Sequence, residues 1–130
     1  MRSVVAVGCL AFSAVLPGCE VGLFGDCDDT IVSEATRPGG PERALVYVRN
    51  CGATTAYATH VALHERGRFF DSEPRIVFVG EGGEPSIPGV SARWLDRYTL
   101  EVTYQRSIRI FHTMRSAWEK DIGIVLVPAR

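Results

Sequence analysis

Tyr98-Thr99-Leu100-Glu101-Val102-Thr103-Tyr104-Gln105 alternates without a break. Successive side chains on a strand point to opposite faces, so Tyr98, Leu100, Val102 and Tyr104 form one apolar face and Thr99, Glu101, Thr103 and Gln105 a polar one. The stretch predicts a strand with its first face on a core and its second in water. Working outward, residues 90–95 form a similar run, and the tight Asp96-Arg97 connection makes the two a hairpin. Residues 55–64 alternate as well, with Tyr57, Thr59, Val61 and Leu63 on one face and Ala58, His60, Ala62 and His64 on the other, taken as the outer face.

The punctuation between these runs is as informative as the runs. Arg37-Pro38-Gly39-Gly40-Pro41-Glu42 is a turn by composition, and the β-rich residues 44–49 after it predict a first hairpin. Residues 75–79 end at the Gly80-Glu81-Gly82-Gly83-Glu84-Pro85 break, residues 108–112 form another short strand, and residues 122–127, apolar on both faces, are expected centrally in a sheet. Only residues 113–120 have the composition of a helical turn. Roughly seven or eight short strands with no long helical period predict an all-β fold, an antiparallel meander forming a small sandwich or a strongly twisted sheet.

The chain has 130 residues, room for one domain, and its 46% hydrophobic and 22% charged composition is that of a packed globular body rather than a disordered one. Fourteen Lys and Arg against fifteen Asp and Glu leave a net charge of -1, a poor basis for attraction to a phosphate backbone, so no nucleic-acid partner is expected.

At the N-terminus, Met1 and Arg2 precede thirteen uncharged, mainly apolar residues from Val4 to Leu16. As a helix they span only about 20 Å against a hydrocarbon core of about 30 Å, so a signal-peptide core is the stronger reading and a transmembrane helix the weaker. Leu16-Pro17-Gly18-Cys19 follows and resembles the lipobox of bacterial lipoproteins, with an aliphatic residue three before the Cys and a small one beside it, Pro17 standing where Ala or Ser is usual. The resemblance implies cleavage before Cys19 and acylation of its thiol. The competing reading, secretion after the general signal peptidase, lacks an Ala-x-Ala site in the right place. The expected division is a signal peptide over 1–18, a lipidated tether over 19–29 and one β domain over 30–130. Glu20, rather than Asp, follows the Cys, which favours the outer membrane if the host has one.

With Cys9 removed and Cys19 acylated, Cys27 and Cys51 are left in an oxidising compartment, where a pair is more often a disulfide than part of a zinc site. Arg49-Asn50-Cys51-Gly52-Ala53-Thr54-Thr55, with Thr59-His60-Val61-Ala62-Leu63 and Arg93-Trp94-Leu95, resembles a group of small uncharacterised bacterial lipoproteins sharing a Cys-Gly-Ala-Thr-Thr segment. That resemblance implies export, a β fold and a paired Cys51, and supplies no catalytic residue. Cys51, Gly52, Ala53, Thr54 and Thr55 are either a tight structural bend with Gly52 as its strained position or a recognition loop.

No hydrolase signature is present, and His60 and His64, about 13 Å apart along a strand, cannot share a metal. No cofactor and no metal are expected. Asp26, Asp28 and Asp29 read as a solvated acidic tether rather than a calcium loop. Arg93, Arg97, Arg106, Arg109 and Arg115 read as protective charge on strand edges before they read as an anion-binding patch, and Trp94, Tyr98, Tyr104 and Trp118 as core before ligand platform. The leading functional expectation is a non-catalytic envelope module binding a protein or cell-wall component, attached to the membrane by its lipid. The alternatives are a hydrolase-like enzyme gathering His60, His112 and Glu101 in a pocket, and a purely structural lipoprotein.

Overall fold

The computed structural model describes residues 27–65, 74–117 and 121–130. Within them the chain forms nine strands: β1 (Asp28–Thr36), β2 (Glu42–Asn50), β3 (Ala58–Glu65), β4 (Arg75–Glu81), β5 (Val90–Asp96), β6 (Thr99–Tyr104), β7 (Arg109–Thr113), β8 (Ser116–Ala117) and β9 (Ile122–Pro128). A five-stranded sheet in the order β1-β2-β3-β4-β7 and a four-stranded sheet in the order β5-β6-β9-β8 enclose one core, giving the all-β sandwich expected from the alternation. The antiparallel meander runs through β1 to β4. The chain then crosses to the second sheet for β5 and β6, returns for β7 beside β4, and ends with β9 parallel to β6. A parallel pair needs a long crossover rather than a tight turn, and the excursion through β7 supplies it.

Inward positions follow the period of two. Ala44 and Val46 from β2, Val61 and Leu63 from β3, and Leu100 and Val102 from β6 all lie in the core cluster. One place breaks the rule usefully. Val77 and Phe78 are adjacent on β4 and both fully buried, because the register slips between Val61, opposite Phe78, and Ala62, opposite Ile76. A bulge inserts one unpaired residue, which lets neighbours enter the same core.

The strands depart from expectation at three places. β1 starts at Asp28, so the last two residues of the expected tether belong to the sheet, with Asp28 opposite Asn50 and Asp29 opposite Arg49. Residues 55–57 precede β3 rather than open it, and Ser116–Ala117 is a short strand where a helical turn was entertained. Of the aromatic residues, Trp94 is half-buried and donates its indole N–H to the Ala35 carbonyl at 2.9 Å, and Tyr104 is half-buried with its ring 6.0 Å from that of Phe78. Tyr98, expected inward, is 52% exposed because it stands in the turn before β6. Trp118 lies outside the described residues.

Strand directions define two ends. β1 leaves Cys27 at one end and reaches Arg37 at the other. Asn50, Ala58, Glu81, Gly89 and Gln105 all come to the Cys27 end through the pairings of their strands.

Candidate binding surface

Cys27 and Cys51 are joined in a disulfide with Cα atoms 4.3 Å apart, fastening the start of β1 to the end of β2. From it runs the exposed segment Cys51, Gly52, Ala53, Thr54, Thr55. Gly52 has φ of +121°, a conformation that L side chains rarely adopt, and a Cβ built there would meet nothing within 4 Å. Its N–H donates to Asn50 Oδ1 at 3.0 Å, and its carbonyl accepts from the Thr55 N–H at 3.1 Å, closing the bend. The Tyr57 carbonyl then accepts from the Gly82 N–H at 2.8 Å, which joins this bend to the loop after β4.

The sequence marks that loop only as a break between strands. Gly82-Gly83-Glu84-Pro85-Ser86-Ile87-Pro88-Gly89 folds back on itself, with the Glu84 and Ile87 backbones exchanging hydrogen bonds of 3.1 and 3.0 Å. The fully buried Thr59 places its hydroxyl 3.0 Å from the Gly82 carbonyl and 3.1 Å from the Pro88 carbonyl, anchoring both legs of the loop to β3. Gly83, with φ of +79°, must lack a Cβ, which would fall 2.2 Å from the Pro88 oxygen. Facing this loop is the turn from Gln105 to Ile108, closed by an N–H to carbonyl bond of 2.9 Å and tied across by the Gln105 N–H to the Gly89 carbonyl at 2.8 Å. Between them lies a cleft of about 360 Å³, bordered by Glu84, Ile87, Gln105, Ser107 and Ile108. A smaller recess of about 220 Å³, bordered by Ser91, Thr103 and Tyr104, adjoins it through Gly89 and Gln105. The signal for this site is two turn-rich stretches, residues 82–89 and 105–108, but that they face each other depends on the crossover between sheets.

The outer face of the first sheet holds a connected set of charged and aromatic groups. Arg49 donates to both carboxylate oxygens of Asp29, at 2.7 and 2.9 Å, and lies 5.7 Å over the Tyr47 ring. Tyr47 in turn stacks on His60 with ring centres 4.8 Å apart. The hydrogen bonds from Arg49 hold the Asp29 carboxyl below the ordinary carboxylate range, burial pushes the Tyr47 phenol up, and burial followed by the Arg49 charge pushes the His60 imidazole down. His60 therefore lies on the outer face as expected but is buried there, with no partner for its Nδ1. Asp29 likewise is no free tether carboxylate; it is an ion-paired strand residue, and Asp26 lies outside the described residues.

His60, His112 and Glu101 do not meet. His60 and His112 flank Val79 in one row of the first sheet, two strands or roughly 10 Å apart, while Glu101 belongs to the second sheet and accepts from Arg93 at 2.8 Å. Among the described residues no group of three His, Cys, Asp or Glu is placed to hold a metal ion. The five arginines form no patch either. Arg93 on β5 pairs with Glu101, Arg97 in the β5–β6 turn lies 5.1 Å over Tyr98, Arg106 in the turn after β6 donates to the Ala129 carbonyl, Arg109 on β7 lies 5.1 Å over Phe111, and Arg115 stands between β7 and β8.

Comparison with known proteins finds no matching family model, no matching curated protein and no matching solved structure.

Proposed function

We propose that the chain is an exported bacterial lipoprotein, acylated at Cys19, whose folded body is a non-catalytic binding module of the cell envelope, on the outer membrane where the host has one. The observation behind this reading is the disulfide between Cys27 and Cys51. Cytosolic thiol systems keep such pairs reduced, so a small β domain fastened by one fits an oxidising compartment and an export signal over residues 1–18. Cys27 follows Cys19 by eight positions, at most about 28 Å of extended chain. Lipid at Cys19 would therefore hold the Cys27 end of the sandwich, with its two loops, close to the membrane surface. Each buried methylene contributes about 0.8 kcal/mol, so the two or three acyl chains of such an anchor make attachment effectively permanent without help from the fold.

The intact mass of protein extracted from membranes tests the reading. The expected species begins at Cys19 and carries diacylglycerol on its sulfur. A free Cys19 thiol, or a mature terminus elsewhere, overturns it. Crosslinking in native membranes followed by mass spectrometry then identifies the protein or wall component that the module holds.

A further inference from the structure

We propose that the cleft between the loop of residues 82–89 and the turn of residues 105–108 is a saccharide site, so that the component bound by the module is a glycan. This deepens the proposed envelope function and rests on it. The cleft's size, about 360 Å³ with a recess of about 220 Å³ beside it, is in the range that accepts a small ligand of one or two rings. Its chemistry narrows the class. The polar residues bordering it are Glu84, whose carboxylate also accepts from the Ser86 hydroxyl at 3.0 Å, Gln105 and Ser107, and Ser91 and Thr103 border the recess.

Among the described residues no Lys or Arg borders either space. Arg106, in the same turn, directs its Nε to the Ala129 carbonyl at 3.2 Å. Among the described lining residues an anionic ligand thus finds no counter-charge. A lone ammonium would need acceptors only, whereas this rim mixes acceptors with the Gln105 and hydroxyl donors. Sugar hydroxyls, each donor and acceptor at once, match that mixture. The apolar C–H face of a pyranose has a wall to lie against in Ile87, which stands 68% exposed in the loop, while the buried Ile108 also borders the cleft. Both walls are fixed in advance by backbone hydrogen bonds and by Thr59, so little ordering is left to be done on binding.

The test titrates the full-length protein in detergent micelles with N,N′-diacetylchitobiose, following amide shifts by NMR. Saturable shifts centred on residues 84, 87, 105 and 107 are expected. The double variant Glu84→Gln with Gln105→Ala alters exposed side chains only and should leave the melting temperature unchanged while weakening binding at least about tenfold. No saturable shift at up to about 10 mM sugar overturns the proposal, as does binding that the double variant leaves intact. Failure here in protein whose Cys19 carries lipid removes the saccharide site and leaves the anchored module standing. A free Cys19 thiol removes the anchor and leaves the titration to decide the cleft on its own.

Discussion

At the end of the sandwich where β1 turns into β2, polar groups are consumed by one another, whereas at the end where Cys27 enters the fold those around the cleft stay exposed beside the Arg49–Asp29 ion pair. Arg37, only 8% exposed, anchors the first end. Its guanidinium pairs with Glu42 at 2.9 Å and Asp121 at 3.2 Å, its Nε donates to the Arg97 carbonyl, and it lies about 6 Å from the ring centres of Trp94 and Tyr98. One side chain from the β1–β2 turn thereby fastens the first sheet to the second. At the opposite end the closure is made by a disulfide, by the Arg49–Asp29 pair, by backbone turns and by Thr59, and the Gln105 amide, the Ser107 hydroxyl and the Glu84 carboxylate, which among the described residues bonds only Ser86, border the cleft. A polar group occupied within the fold specifies structure, and one left over on a rigid frame is what a ligand can use.

The largest effect should come from the closed end. Arg37→Met removes both ion pairs and strands Glu42, whose Oε2 is already buried without a partner, so a loss of about 3–5 kcal/mol is expected from the urea midpoint. Adding Glu42→Gln should recover part of it. A midpoint unmoved by Arg37→Met would mean that the two sheets are held together by apolar packing alone. Next comes the disulfide: replacing Cys27 and Cys51 with Ser frees a loop with a sequence separation of 24 and should cost about 3–4 kcal/mol on the chain-entropy model. The same loss should follow reduction of the unmodified protein.

A finer comparison lies within the open end. Gly83 and Gly52 both have positive φ, but a Cβ at Gly83 would strike the Pro88 oxygen and the Thr59 hydroxyl while one at Gly52 would meet nothing. Gly52→Val should therefore cost only the backbone strain, about 1–3 kcal/mol, and Gly83→Ala more than Gly52→Ala. Thermal unfolding of the three variants orders them. If Gly52→Val leaves stability unchanged and abolishes capture of an envelope partner, Cys51 to Thr55 is a recognition loop and not a structural bend.

Much of this frame was legible beforehand for a physical reason. Tyr98 to Gln105 alternates because one face of β6 packs and the other is wet, and Arg37 to Glu42 turns because Pro and Gly permit little else. The disulfide followed from counting thiols. Less legible were features set by the assembled sheets. β9 reads as a generic apolar strand, and nothing local says that it lies parallel to β6. His60 and Ala62 sit on an outer face yet are buried, which alternation alone assigns to solvent. The cleft joins two stretches that are each only turns, and Arg37 looked like a turn residue because its partners lie as far away as Asp121.

The smallest expected effect distinguishes the two ends by pH. Within the outer face leading to the open end, burial and then the Arg49 charge hold the His60 imidazole below the ordinary histidine value of 6.5, so the folded state prefers it neutral. An unfolded chain binds that proton more readily, and stability tied to neutral His60 is present above about pH 6.5 and is lost as pH falls through the lower folded value. Asp29, lowered from 3.8 chiefly by its hydrogen bonds from Arg49, adds a second loss in the same direction at more acid pH. Urea midpoints should therefore fall between pH 7.5 and 5.5 in the unmodified protein. His60→Phe keeps a ring against Tyr47 but cannot take up a proton, and it should flatten that fall while leaving the loss below pH 4 in place. An undiminished slope in His60→Phe would show that His60 does not carry the neutral-pH dependence. The Tyr47–His60 stack would then be packing alone.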